Sequence, residues 1–153
     1  MLKVKDKAPD FSLYDQDNVL HTLSSYKGKK VIIYFYPKDN TSGCTTQACS
    51  YRDYYKEFKN KGIVLLGISK DSIKSHQNFK SKYNLPFPLL SDVNREVLEK
   101  YDLIKEKTMY GKKVKGTRRS SFLIDEDGYI LLANYDVKAD EDAENILNYL
   151  NNH

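Results

Sequence analysis

No apolar run in the 153-residue chain approaches the ~18 residues that a membrane-spanning helix requires, so neither a membrane segment nor a membrane partner is expected. Internal repeats and low-complexity linkers are also missing, which argues against solenoids and multidomain arrays. A chain of this length fits one domain, spanning residues 1–153, and can bury a core without disulfide or metal staples. Histidine is scarce. His21, His76 and His153 never cluster with one another or with cysteine at ligand spacing, which speaks against a zinc site, and no metal or other cofactor is expected. Only two cysteines occur, Cys44 and Cys49, too few for a disulfide scaffold. The opening Met1-Leu2-Lys3-Val4-Lys5-Asp6-Lys7 is charged and lacks the apolar centre of a signal peptide, so the expected location is the cytoplasm. In that reducing compartment two cysteines point to catalysis rather than to a structural bridge.

What is present is ordinary for a globular domain: 40% hydrophobic and 30% charged residues, with a net charge of +4. Lysines concentrate at Lys27, Lys29 and Lys30 and again at Lys112, Lys113, Lys115, Arg118 and Arg119. Without a recognised binding motif these clusters read as solvated faces, and no nucleic-acid partner is expected.

The informative stretch is Tyr36-Pro37-Lys38-Asp39-Asn40-Thr41-Ser42-Gly43-Cys44-Thr45-Thr46-Gln47-Ala48-Cys49. It follows Val31-Ile32-Ile33-Tyr34-Phe35-Tyr36, a β-branched and aromatic block that reads as a strand buried on both faces. Beyond it, Cys44, Ala48, Tyr51, Tyr55 and Phe58 recur at the spacing of one helical face. Cys44 therefore falls in a first helical turn, on its inward side, where unpaired amides and the positive dipole end favour a thiolate. Lowering a thiol from ~8.5 to roughly 6 takes about 3.4 kcal/mol, whereas a helix end supplies at most about 2. A second positive group is required. Most free cysteines are simply small buried apolar residues. Gly43, which permits close backbone approach, and the capping residues Thr41 and Ser42 set this one apart.

Around it, residues 8–13 and 19–23 alternate apolar and polar residues as a β-hairpin, with His21 expected at the surface. The Cys44 helix should end near Lys59, with Gly62 as its stop, and residues 63–68 form a second apolar strand parallel to the first. Ser69-Lys70-Asp71-Ser72 begins a helix with Ile73, His76, Phe79, Lys80 and Tyr83 on one side, His76 being a structural residue, and an extended segment over 85–90 follows. Ser91 and Asp92 are expected to cap a helix burying Val93, Val97, Leu98 and Tyr101. Residues 105–117 read as a mobile basic loop, 120–124 and 129–133 as an antiparallel hairpin, and Asp140 as the cap of a last helix. Strand–helix–strand with a right-handed crossover places Cys44 just past the carboxyl end of a strand in an α/β sheet.

Phe35-Tyr36-Pro37-x-x-x-Thr41-x-x-Cys44 resembles the active-site signature of the peroxiredoxins, thiol peroxidases on a thioredoxin-type fold. With Cys49 five positions on, the resemblance is to the peroxiredoxin Q, or bacterioferritin comigratory protein, branch, and it runs from Pro9 to the final helix. Ser42 departs from it, since that branch commonly has proline there. The resemblance implies an α/β, thioredoxin-like fold: a central mixed sheet flanked by helices, with an N-terminal β-hairpin. It further implies that Cys44 is the nucleophile for hydrogen peroxide and alkyl hydroperoxides, that Cys49 resolves its sulfenic acid as an intramolecular disulfide, and that thioredoxin or a similar dithiol reduces it. Thr41 would orient the peroxide, Pro37 would shape and shield the pocket, and the protein would be a monomer. Arg118-Arg119-Ser120-Ser121 resembles the segment whose arginine reaches the thiolate, with Arg119 at the matching position and Arg118 solvent-facing.

Two other functions compete with this reading. A thioredoxin-type disulfide oxidoreductase needs Cys-x-x-Cys, but four residues separate the cysteines here, and Arg119-Ser120-Ser121 stands where thioredoxins carry a proline. A non-catalytic redox sensor or holdase would use Cys44 only to signal.

Overall fold

The computed structural model describes residues 1–153. β1 (Ser12–Tyr14) and β2 (Leu20–Thr22) form the N-terminal hairpin, followed by a short 3-10 turn. β3 (Val31–Phe35), α1 (Ser42–Asn60) and β4 (Val64–Ser69) make the expected β-α-β unit, with β3 and β4 parallel from Val31↔Val64 to Phe35↔Ile68. Gly62 follows the helix at φ +72, the left-handed turn that a chain reversal there demands. Then come α2 (Ile73–Tyr83), β5 (Leu89–Ser91), α3 (Glu96–Lys100), β6 (Ile104–Met109), β7 (Lys112–Thr117), β8 (Ser120–Ile124), β9 (Ile130–Asn134) and α4 (Asp142–Asn152).

Five strands form one mixed sheet in the order β5-β4-β3-β8-β9. β3 lies at its centre and every residue in it is buried. Because side chains alternate across a strand, β3 divides between two cores. Ile32 and Tyr34 face α1, α2 and α4, joining Tyr36, Cys44, Ala48, Tyr51, Phe58, Phe79 and Ile146. Val31, Ile33 and Phe35 face the other side, where Phe11, Val97, Leu98, Tyr101 and Phe122 pack. The thiol of Cys44 is thus built into the wall of a close-packed aromatic core. Tyr34 stacks on Tyr51 with ring centroids 4.4 Å apart, a contact of the kind that adds about 0.5–1.5 kcal/mol beyond area burial.

Four expectations are corrected. Residues 105–117 are not a loop: β6 and β7 pair antiparallel from Ile104↔Thr117 to Met109↔Lys112. Tyr110 and Gly111 turn the ribbon with φ +53 and +76, the two positive values that a tight hairpin turn requires. α3 begins only at Glu96, and Val93 is exposed; the side chain of Asp92 nonetheless accepts the amides of Val97 and Leu98, from five and six residues upstream. α4 begins at Asp142 with Glu141, not Asp140, before it and with no side-chain cap. His21 is not a surface residue: its ring contacts Tyr26 Oη at 2.6 Å and Asp15 Oδ2 at 2.7 Å, which ties the hairpin to the 3-10 turn.

Candidate active site

The loop between β3 and α1 is held by a buried carboxylate. Asp39 accepts from Tyr36 Oη at 2.5 Å and Ser75 Oγ at 2.8 Å and lies 2.7 Å from His76 Nδ1, while its own amide donates to Asp71 at 2.8 Å. His76 Nε2 contacts the carbonyl of Leu90 at 3.0 Å, so one imidazole joins the loop to α2 and β5. The ligand atoms of Asp39, Asp71 and His76 lie within 4.8 Å of one another. They are already committed to these internal partners and to Ser69, and the cluster reads as an anchor for the loop rather than as a metal site.

That anchor sets where α1 begins. Thr41 is the N-cap with extended backbone, and its carbonyl accepts the amide of Thr45. Its hydroxyl does not cap the helix; it donates to the carbonyl of Lys38 at 2.8 Å, which keeps the oxygen's lone pairs available as acceptors. Pro37 is half-buried beside the start of this loop. Cys44, at the third position of α1, is only 1% exposed.

Arg119 supplies the second positive group. Its Nη2 lies 3.5 Å from Cys44 Sγ, and its Nη1 donates to Gln47 Oε1 at 2.8 Å. Arg118 points away, its guanidinium 3.4 Å from the Asp136 carboxylate, as neighbours in an extended segment must. Gly43 makes the approach possible: a Cβ built there would stand 2.9 Å from Arg119 Nη2. Gly43→Ala should therefore displace the guanidinium while leaving the fold intact, because the atom that must move is the tip of a flexible side chain. Reaction at the Cys44 thiol should slow about tenfold, equivalent to ~1.4 kcal/mol, with little change in melting temperature. Calorimetry and initial rates on the same preparation check this.

Gln47 was not anticipated from the sequence. It stands three residues after Cys44 on an otherwise apolar helical face, and a polar residue at such a position is the signal that could have marked it. It is fully buried, as is Asp142, to which its amide nitrogen donates at 3.0 Å. Cys49 lies on the same continuous helix as Cys44, half-buried, and both thiols are free.

A buried thiol in the first turn of the helix that follows the central strand, met by a guanidinium, is the arrangement of a thiol-reactive α/β enzyme. The AhpC/TSA family profile matches residues 4–133, and the chain belongs to that family. Peroxiredoxin Bcp of Escherichia coli K12 is 43% identical over 152 residues, 99% of this chain and 97% of the relative. Among solved structures, the bacterioferritin comigratory protein of Xanthomonas campestris superposes with a TM-score of 0.89 at 40% identity, over 94% of this chain and 91% of the other. A peroxiredoxin Q mutant of Xylella fastidiosa gives 0.93 at 36% identity, over 100% and 98%. The expected thioredoxin-like architecture is thereby borne out. The activity is that of a peroxiredoxin of the Bcp, or Q, type, a thiol-dependent peroxidase acting on peroxides with a thiol reductant. No helix is long and apolar enough to cross a membrane.

Proposed function

We propose that this single domain, residues 1–153, reduces hydrogen peroxide and alkyl hydroperoxides through Cys44, with Cys49 as the resolving thiol. The observation that carries the assignment is the Cys44 Sγ–Arg119 Nη2 contact at 3.5 Å in the first turn of α1. The solved Xanthomonas campestris relative is described by its alkyl peroxide reduction activity, which supports the substrate range.

The Cys44 thiolate attacks the distal peroxide oxygen and the O–O bond breaks. Water or alcohol leaves with a proton, and the sulfur, oxidised by two electrons, becomes a sulfenic acid. Ionisation alone does not make this fast, since lowering a thiol's pKa also lowers its nucleophilicity. Groups aimed at the breaking bond supply the rest: the Arg119 guanidinium and the amides of the Gly43–Cys44 turn donate, the Thr41 hydroxyl oxygen, whose proton goes to the Lys38 carbonyl, accepts the peroxide O–H, and Pro37 walls the pocket. Cys49 then attacks the Cys44 sulfur, an S–S bond forms and water leaves. A dithiol of the thioredoxin kind restores both thiols by exchange. Two free cysteines suit a reducing cytoplasm, and a monomer suffices because both thiols lie on one helix.

The arginine assignment is tested by a paired substitution. Arg119→Ala should slow the reaction of Cys44 with peroxide roughly a hundredfold, the usual cost of losing a donor at developing charge, and should reduce its alkylation by iodoacetamide at neutral pH. Arg118→Ala should change neither. Equal losses from the two would undo the assignment.

A further inference from the structure

An acidic residue in the first turn of a helix is ordinarily an exposed partner of the helix dipole. Asp142 is instead 1% exposed at the start of α4, against α1. Burying a carboxylate is costly unless its oxygens are satisfied, and three donors converge on this one. Ser121 Oγ donates to Oδ1 at 2.6 Å, while Tyr51 Oη at 2.5 Å and Gln47 Nε2 at 3.0 Å donate to Oδ2. Burial, reinforced by the adjacent carboxylate, pushes the Tyr51 phenol well above its usual range and keeps it a donor.

The consequence lies at the other end of the Gln47 amide. With Nε2 committed to Asp142, Oε1 must face the opposite way, and there it accepts Arg119 Nη1 at 2.8 Å. A flipped amide would set donors against the guanidinium. The other Arg119 nitrogen, Nη2, is the atom 3.5 Å from Cys44 Sγ. A continuous line of hydrogen bonds thus runs from α4 to the reacting thiol. Gln47 also lies between Cys44 and Cys49, so any unwinding that brings the two sulfurs together must carry it off Asp142.

We propose that Asp142 is a positioning residue of the peroxidase reaction: by orienting the Gln47 amide it holds Arg119 against Cys44, and the same bond resists the unwinding that disulfide formation requires. This rests on Cys44 and Cys49 being the reacting pair. Asp142 therefore acts on the two chemical steps in opposite directions, assisting attack on peroxide and retarding resolution. A merely structural carboxylate would lower stability and move neither step.

Stopped-flow measurement on the full chain separates the two, with the sulfenic acid and the disulfide followed in one trace and over-oxidation read by intact mass in excess peroxide. In Asp142→Asn the first step should slow about tenfold and the second quicken several-fold, with less over-oxidised Cys44 than in wild type. Gln47→Met, which leaves the Ser121 and Tyr51 bonds to Asp142 in place, should reproduce both changes. The double variant should be no worse than either single one, the mark of residues acting through one another. A lowered melting temperature with both rate constants unchanged overturns the proposal, as do effects of the two substitutions that simply multiply. If Asp142→Asn does not fold, unaltered rates in Gln47→Met overturn it equally. Cys44→Ser run alongside keeps the underlying reading separate: peroxide consumption by that variant would displace the nucleophile whatever Asp142 does.

Discussion

Cys44→Ser should abolish peroxide reduction, with turnover falling roughly a thousandfold or more. A serine hydroxyl in the same first turn remains protonated, so the helix end and Arg119 have no anion to hold and the distal oxygen meets no comparable nucleophile. Nothing in the packing offers a substitute. The other thiol, Cys49, is 3.5 Å from no arginine, while Cys44 is placed by Gly43, Gln47 and Arg119 together. Stability should be nearly unchanged, since the replacement is close in size. Substantial residual turnover in a thioredoxin-coupled assay would move the reaction to another group.

Cys49→Ser should have a large effect of a different kind. On an intact helix, five steps of ~1.5 Å separate the two cysteines by about 7.5 Å along the axis and turn them roughly 140° apart. A disulfide tolerates Cα separations up to ~6.8 Å with converging Cβ vectors, so α1 cannot hold one as it stands. Its first two turns must open, against the Gln47–Asp142 bond and the packing of Cys44 and Ala48 in the core. The reduced arrangement expected from this argument is present: Cys44 and Cys49 are free on one unbroken α1. With Cys49 replaced, the first peroxide equivalent should still react at its normal rate. Sulfenic or over-oxidised Cys44 should then accumulate, and turnover should depend on an added thiol. If the variant turns over normally with thioredoxin, Cys49 is structural and the enzyme works with one cysteine.

The parts of this site that were legible in the sequence are those written in periodicity. The run from Val31 to Tyr36, of which Val31–Phe35 is strand, and the face carrying Cys44, Ala48, Tyr51, Tyr55 and Phe58 place the thiol at the right strand end and helix turn. Alternation along an extended segment, joined to the family resemblance, separated Arg119 from Arg118. The β6–β7 ribbon was not legible because its strands, Ile-Lys-Glu-Lys-Thr-Met and Lys-Lys-Val-Lys-Gly-Thr, have no apolar face; backbone pairing and the Tyr110–Gly111 turn hold it. Asp92 was recognised as a cap, but its reach of five and six residues is set by the left-handed Arg95 that delays α3. Asp142 lay hidden for a more general reason. Among Asp140, Glu141, Asp142 and Glu144 it looks like one more complement to the helix dipole, and only the packing of α4 on α1 singles it out.

The central claim is that peroxide oxidation ends in a bond between Cys44 and Cys49, made by opening the start of α1. Mass spectrometry of wild-type protein treated with one equivalent of peroxide tests it most directly, with amide exchange recorded on the same sample. The account predicts a Cys44–Cys49 peptide two hydrogens lighter than the dithiol and exchange that rises over residues 45–55. A product carrying an added oxygen on Cys44 with Cys49 still a free thiol, and exchange over 45–55 unchanged, would contradict it.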